Sequence, residues 1–306
     1  MKIAFVYSGQ GAQYAGMGKD LYDAYDLVKD RLDEAQTIMG QPLLRAMFED
    51  QTMLDRTTYA QPAIFALSTA LRDLLASRGL QSDGAAGLSL GEYAAFYDTG
   101  VYDIDTGLRT LIHRAFFMEE ALKAHEGGMI ALRAEVAQAQ ALAKRVPGLH
   151  VANVNSPQQT VLGGSREAID EAIKHAHHYG INRAVPLATA GAFHTPLMAS
   201  AGKAFQGYLR GVTLYPPTKP LYLNTTGKRH EGQLDALMVR QLSEPVLFAP
   251  MIEAMIADGF DVFVELGPGG ALKKLIKKIN RDVRAYHVES CDTLEALMKE
   301  LNIDGI

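Results

Sequence analysis

The sequence has almost no sulfur nucleophile to offer: its 306 residues include one cysteine, Cys291. A single thiol excludes an internal disulfide and any zinc site built from several cysteines, and it points to a reducing compartment. Its plainest reading is a small, half-buried side chain near the C-terminus. Basic residues are not in excess either. Lys and Arg number 30 against 35 Asp and Glu, a formal net charge of −5, so a nucleic-acid role has no electrostatic footprint. No stretch approaches the roughly 18 apolar residues that a membrane span needs. The apolar start, Met1 to Tyr7, is only a strand long before Ser8-Gly9-Gln10-Gly11 breaks it. No signal peptide is therefore read, and a cytoplasmic protein is expected. Low-complexity tracts and internal repeats are missing as well.

What is present is ordinary globular composition, 48% hydrophobic and 21% charged, in a chain long enough for a large α/β domain carrying a smaller one. Strand-like and helical runs alternate at both ends. Ile3 to Tyr7 reads as a strand. Pro62 to Arg78 reads as a long helix, with Pro62 in its first turn and Gly79 at its end. Val262 to Leu266 reads as a buried strand, Gly267-Pro268-Gly269-Gly270 as its turn and Leu272 to Ile279 as the helix that follows. Such units predict a mostly parallel sheet. The middle differs. Met129–Leu132, His150–Val154, Thr160–Leu162 and Arg183–Leu187 are strand-like, while Val136–Arg145 and Glu167–Tyr179 are helical. That βαββαβ order is the split-βαβ pattern. The expected fold is α/β: a hydrolase-like, parallel-sheet large domain over 1–125 and 189–306, with an inserted ferredoxin-like subdomain over 126–188. A cleft where the two meet is the expected place for a site.

One pentapeptide stands out. Gly87-Leu88-Ser89-Leu90-Gly91 follows Gly84-Ala85-Ala86 and runs into the helical pattern Glu92 to Tyr97. Glycines two residues to either side of a serine suit a sharp strand-to-helix turn, where side chains would clash. The helix start then aims free N–H groups at whatever sits on Ser89. The plainer alternative is a glycine turn whose serine caps the helix. A nucleophilic serine needs a base. Of nine histidines (113, 125, 150, 175, 177, 178, 194, 230 and 287), His194 stands apart. It lies in Ala190-Gly191-Ala192-Phe193-His194-Thr195, a loop past the last strand of the inserted module, and the helical pattern resumes at Pro196. A hydrogen-bonded loop histidine is the alternative. Arg114 has Leu111, Phe117 and Met118 as helical neighbours. A guanidinium among them must reach water or an anion, either a protein carboxylate or a substrate carboxylate gripped by two parallel bonds. The loop Gly9-Gln10-Gly11-Ala12-Gln13 lacks a third glycine and any G-K-[ST], so it is a poor nucleotide motif. Gln10 suits a group aimed at a reacting oxygen, or the loop is a plain turn.

Together these segments resemble the malonyl-CoA:acyl carrier protein transacylases of fatty acid synthesis. The matching pieces are Gly9–Gln13, Gly87–Tyr93, Arg114, Asn153-Val154-Asn155-Ser156-Pro157, Gly191–His194, Arg240-Gln241-Leu242 with Glu244-Pro245-Val246, and Glu265–Gly269. They fall in the family's order and span nearly the whole chain. The resemblance implies Ser89 as nucleophile and His194 as its base, in a dyad whose imidazole is oriented by the Gln241 carbonyl. It implies an oxyanion hole from the N–H groups of Gln10 and Leu90, and Arg114 as the partner of the malonyl carboxylate. Asn153 and Asn155 are implied to shape the cleft. Phe193 is the family's malonyl-associated residue before the histidine. Leu88 departs from the histidine that many members carry there.

The implied reaction is malonyl transfer from malonyl-CoA to the phosphopantetheine thiol of an acyl carrier protein through an acyl-serine, with ping-pong kinetics and no cofactor or metal. The carrier proteins of this pathway are acidic, so Lys273, Lys274, Lys277 and Lys278 form a candidate docking patch; a solvated helix face is the alternative. A monomer is expected, with neither nucleic acid nor membrane as partner. Three other readings remain: an acyltransferase serving a polyketide synthase, a serine thioesterase, and a non-catalytic partner in a synthase complex whose Ser89 only caps its helix. Asp258 and Asp261 follow His194, the wrong order for an α/β-hydrolase triad.

Overall fold

The computed structural model describes residues 1–124, 126–189 and 191–302. His125 and Ala190, named above among the histidines and in the loop before His194, lie outside the described residues. The strands in chain order are β1 Ile3–Tyr7, β2 Gly84–Gly87, β3 Gly127–Leu132, β4 Leu149–Ser156, β5 Gln159–Ser165, β6 Ala184–Pro186, β7 Tyr222–Leu223, β8 Lys228–Arg229, β9 Val262–Leu266 and β10 Arg284–Val288. Residue proximity divides the chain into two units. One holds Met1–Ala115, Thr213–Tyr222 and Met255–Ile306; the other holds Phe116–Val212 and Leu223–Ala254.

The first unit is an α/β layer structure around a four-stranded sheet of order β10-β9-β1-β2, parallel at every pairing. All residues of β1 and β9 are buried. Apolar runs without polar alternation fit strands covered on both faces. β2 is Gly-Ala-Ala-Gly, and its small residues admit a close neighbour. The Gly91–Asp98 helix follows within four residues. A Cβ placed on Gly87 would stand 2.0 Å from the Gly91 carbonyl carbon, and one on Gly91 would stand 2.1 Å from the Tyr7 oxygen. Strand and helix thus touch through bare backbone.

The helix expected from Pro62 starts five residues earlier. It spans Thr57–Ser77 and holds Pro62 inside. A proline fits the first turn of a helix best, because its missing N–H costs nothing there. Here the Ala60 N–H already bonds Arg56 O at 2.8 Å, and Pro62 leaves the Thr58 carbonyl without its helical donor. Burial of Tyr59, Ala60 and Gln61 accompanies the extra turn, a case of packing overriding a local signal. Asp98, at the end of the Gly91–Asp98 helix, has a side chain 1% exposed. Its carboxylate accepts from Arg72 Nε at 2.8 Å, Ser82 Oγ at 2.8 Å and Lys219 Nζ at 2.9 Å. One buried anion thereby joins the Thr57–Ser77 helix, the entry to β2 and the segment before β7.

The second unit contains a four-stranded sheet of order β4-β5-β3-β6, antiparallel throughout. Helices Val136–Arg145 and Arg166–His175 contribute to one core with it, built on Ile130, Leu132, Leu142, Leu149, Leu162 and Ile169. Glu135 and Gln138 form a capping box on the first helix, and Ser165 Oγ caps the second by accepting from Ala168 N. The helix expected to run to Tyr179 tightens to a 3₁₀ turn over Ala176–Tyr179 and ends at Gly180, φ 72°. A left-handed glycine stops a helix without strain. Among the described residues no helix is long and apolar enough to cross a membrane, and no group of three or more His, Cys, Asp or Glu is arranged to hold a metal ion.

Two stability predictions follow from this packing. Asp98→Ala leaves Arg72 and Lys219 without their buried anion and is expected to destabilise by about 3–5 kcal/mol; a thermal melt indistinguishable from wild type would show that the cluster carries no stability. Gly91→Ala forces a methyl onto the Tyr7 oxygen and should cost about 1–3 kcal/mol or more. Gly207→Ala, at an exposed position of the Ala199–Leu209 helix, meets nothing within 4 Å and is expected to be neutral or stabilising by up to about 1 kcal/mol. Equal melting temperatures for these two glycine variants would refute the close-approach account.

Candidate active site

Three non-glycine residues among those described have positive φ: Ser89 at 54°, His194 at 58° and Asn302 at 52°. A side chain held in the left-handed region is strained, and such strain persists only where the surroundings impose it. At Ser89 the imposing geometry is the contact of β2, β1 and the Gly91–Asp98 helix. The Leu88 N–H bonds Tyr7 O at 3.0 Å, and the Gly91 and Glu92 N–H groups bond back to Leu88 O and Ser89 O. Ser89 is left on the apex of a turn. A Cβ on Gly9 would stand 2.7 Å from Leu88 O, so the Gly9–Gln13 loop lies against this turn. The backbone N–H groups of Gln10 and Leu90 donate to no acceptor among the described residues. Two free donors flank the serine turn, the arrangement an oxyanion needs.

Arg114 is fully buried. Its Nη2 donates to Ser89 Oγ at 3.2 Å and its Nη1 to Gln61 Oε1 at 2.7 Å. The guanidinium lies over the Tyr93 ring, 5.1 Å from the centroid, a favourable cation–π placement. Burial pulls its pKa down from the ordinary value, which is high enough that the group stays charged. A cation bonded to Oγ favours negative charge developing there, and the hydroxyl proton remains available to a base. Gln61 Nε2 donates to Gln10 Oε1 at 3.3 Å, and Gln10 Nε2 donates to Thr57 Oγ1 at 3.1 Å. A chain of side-chain bonds therefore runs from the Gln10 loop to the serine.

In the second unit His194 is 4% exposed, and its Nδ1 lies 2.7 Å from Gln241 O. A carbonyl can only accept, so Nδ1 carries the proton and Nε2 is the basic nitrogen of the neutral ring. Thr195 accepts from Leu197 N and opens the Pro196–Met198 3₁₀ turn, which fixes the segment just past the histidine. Phe193 is buried beside it, 8% exposed. Asn153 is 9% exposed on a bulged stretch of β4 and forms an isolated bridge with Val246. Asn155 Oδ1 is buried without a hydrogen-bond partner among the described residues.

The structure thus brings Ser89, Arg114, Gln10 and Leu90 together in the first unit and pairs His194 with the Gln241 carbonyl in the second, which also holds Phe193, Asn153 and Asn155. Two residues of the first unit escaped the sequence reading. Gln61 is a buried amide on an otherwise apolar stretch, which is its only sequence signal. Glu265 appeared only as part of a motif. It accepts from Ser8 Oγ at 3.1 Å and from Lys273 N at 2.8 Å, tying the loop after β1 to the start of the Ala271–Ile279 helix. Burial pushes its pKa up from the ordinary carboxyl value. The four lysines of that helix are exposed, but Lys277 Nζ donates to Arg281 O at 2.6 Å and Val283 O at 2.9 Å. Lys277 therefore closes its own helix end. Cys291 is partly buried, and desolvation with Asp20 beside it raises the thiol pKa to about 11, so little thiolate exists at neutral pH.

A strained serine flanked by N–H donors, with a buried arginine bonded to its oxygen, has the geometry that acyl chemistry requires. Comparison with known proteins agrees. The family model described as acyl transferase domain matches residues 4–302. A malonyl CoA-acyl carrier protein transacylase of Bacillus subtilis is 33% identical over 98% of this chain and 97% of that protein. The crystal structure of MCAT from Streptococcus pneumoniae superposes with a TM-score of 0.94 at 36% identity, covering 98% of this chain and 100% of that one. A type II PKS acyl-carrier protein complex with its malonyl-transacylase also matches, with a TM-score of 0.94 at 29% identity over 98% and 100% of the respective chains. The chain is an acyltransferase and belongs to the malonyl CoA-acyl carrier protein transacylases.

Proposed function

We propose that the protein transfers malonyl from malonyl-CoA to the phosphopantetheine thiol of an acyl carrier protein, supplying extender units for fatty acid synthesis. Ser89 Oγ attacks the thioester carbonyl as His194 Nε2 takes its proton, with the ring oriented through Nδ1 by the Gln241 carbonyl. The Gln10 and Leu90 N–H groups hold the tetrahedral oxyanion. CoA thiol leaves with the proton carried by His194. The carrier thiol then attacks the malonyl-serine and regenerates Ser89. Arg114 grips the malonyl carboxylate, and Gln61 holds the guanidinium in place. Phe193, Asn153 and Asn155 shape the acyl site. No cofactor takes part.

The observation that carries this reading is the 3.2 Å bond from Arg114 Nη2 to Ser89 Oγ. A buried cation at the nucleophile suits an acyl group that ends in a carboxylate. The complex of a type II PKS carrier with its malonyl-transacylase, 29% identical to this chain, favours a second reading in which the carrier belongs to a polyketide synthase; the chemistry is the same. We further propose a hydrolase-like large domain over 1–125 and 189–306 with a ferredoxin-like insert over 126–188, acting as a cytoplasmic monomer. The βαββαβ order and the β4-β5-β3-β6 arrangement support the insert.

Intact-protein mass spectrometry after brief mixing with malonyl-CoA tests the mechanism. A malonyl adduct is expected on wild type and not on Ser89→Ala, discharged by carrier protein. Discharge as fast by water alone would make the protein a thioesterase. In the same assay Arg114→Ala should lose malonyl transfer by roughly tenfold or more while acetyl transfer improves relative to it; an unchanged malonyl-to-acetyl ratio would remove the carboxylate role. With Lys277 engaged at its helix end, docking of an acidic carrier falls to Lys273, Lys274 and Lys278. Lys274→Glu with Lys278→Glu is expected to raise KM for the carrier and leave that for malonyl-CoA alone, and equal effects on both substrates would exclude this patch.

A further inference from the structure

The Gln10 N–H serves as an oxyanion donor only if the loop that carries it holds still. That loop leaves β1 at Ser8 and runs to Tyr14, and a carboxylate holds each end. At the near end Ser8 is 1% exposed and Glu265, on β9, 0%. Glu265 Oε1 accepts from Ser8 Oγ at 3.1 Å, and its Oε2 accepts from Lys273 N at 2.8 Å, in the Ala271–Ile279 helix. Ser8 N bonds Leu266 O at 3.2 Å, so the main chain and the side chain of Ser8 are both tied to the end of β9. Burial pushes the Glu265 pKa up, and the Lys273 N–H, His287, the Leu272 N–H and the Ser8 hydroxyl draw it back. A carboxylate at this depth is costly, and a donor on each oxygen compensates it.

The far end is held in the same way. Tyr14 OH donates to Glu289 Oε2 at 3.2 Å, and the same oxygen accepts from Gly269 N at 2.7 Å. Gly269 belongs to the turn that backs the loop. A Cβ on it would stand 3.3 Å from Ala12 Cβ, and one on Gly267 would stand 2.9 Å from Ser8 Oγ. His287 braces that turn: its Nε2 lies 2.9 Å from Gly267 O, which can only accept, so Nε2 donates there. β9 and β10 pair in parallel with His287 beside Glu265, and Glu289 follows the end of β10. Two adjacent strand ends thus carry the two carboxylates, and Gln10 lies between the anchors they hold.

We propose that Glu265 and Glu289 are positioning residues of the oxyanion hole: through Ser8 and Tyr14 they fix the two ends of the loop so that the Gln10 N–H meets the oxyanion formed when Ser89 attacks. Both act through another residue and not on the substrate. The inference rests on the transacylase reading and adds to it the device that keeps one of the two donors aimed. Oxyanion donors act only when they are in place before charge develops, and a misplacement of about 1 Å can cost on the order of 100-fold in rate. A loosened loop therefore slows the chemical step and spares ground-state binding of the thioester.

The test is single-turnover malonylation of Ser89, read by quenched intact-protein mass spectrometry over a range of malonyl-CoA concentrations. Ser8→Ala/Tyr14→Phe removes both loop-side bonds and leaves both carboxylates in place. Its limiting rate is expected to fall by about tenfold or more while the half-saturating concentration stays at the wild-type value. A wild-type limiting rate, or a rise in half-saturation that accounts for the whole loss, would overturn the proposal. Glu265→Gln still offers a bond to Ser8 and to Lys273 N and should keep more of the rate than Glu265→Leu; equal losses would assign the effect to charge and overturn it too. Thr69→Val loses a buried hydroxyl bond within its own helix and is expected to keep the wild-type rate. A matching loss there would reduce the effect to general destabilisation and remove the positioning role. Phosphonylation of Ser89 by a fluorophosphonate uses the same hole without a malonyl group, and should slow in parallel in the double variant. Wild-type protein that is phosphonylated but not malonylated sinks the transacylase reading, whereas a double variant phosphonylated at the wild-type rate sinks the clamp.

Discussion

The site depends on one steric constraint, the backbone contact between the Gly91–Asp98 helix and strands β1 and β2. With no room for a Cβ at Gly87 or Gly91, the chain can turn from strand to helix only through a tight corner, and Ser89 takes the left-handed conformation at its apex. That strain is local and is sustained by the packing around it. It leaves the Leu90 N–H, just ahead of the helix, without an acceptor among the described residues. The buried Asp98 cluster holds the far end of the same helix. The elbow is thus clamped by contact at one end and by charge at the other.

Burying Arg114 is the second commitment. A guanidinium inside a protein must be compensated by bonds and aromatic faces. Here Gln61, the Ser89 hydroxyl and the Tyr93 ring supply them. The Thr57–Gln10–Gln61 bonds extend the rigid array to the loop after β1, where Glu265 holds Ser8. Preorganisation of this kind lets a site meet charge that develops in a transition state without rearranging.

The histidine is built differently. Its orienting partner is a main-chain carbonyl instead of a carboxylate, which fixes the tautomer without adding a negative charge near the ring. His194 also carries positive φ, so Ser89 and His194 are each held in a strained conformation, each within its own unit.

The sequence by itself determined what is local. Glycines at fixed offsets from Ser89 announced the corner, because only glycine tolerates such an approach. Apolar runs announced β1 and β9, and the βαββαβ order announced the second sheet. Arg114 declared itself by a charge among apolar neighbours. What only the tertiary structure decided is partnership over long separations. That Gln61 bonds Arg114, that Asp98 gathers Arg72, Ser82 and Lys219, and that Glu265 holds Ser8 depends on which surfaces are pressed together, and periodicity carries no record of that. Packing also overrode local signals. It kept the helix going through Pro62, and the helix end claimed Lys277 for its own carbonyls, removing it from a charge patch that spacing alone had drawn. Turn chemistry and amphipathic pattern act within a few residues and are legible in order along the chain, whereas burial and hydrogen-bond satisfaction are settled by the whole fold.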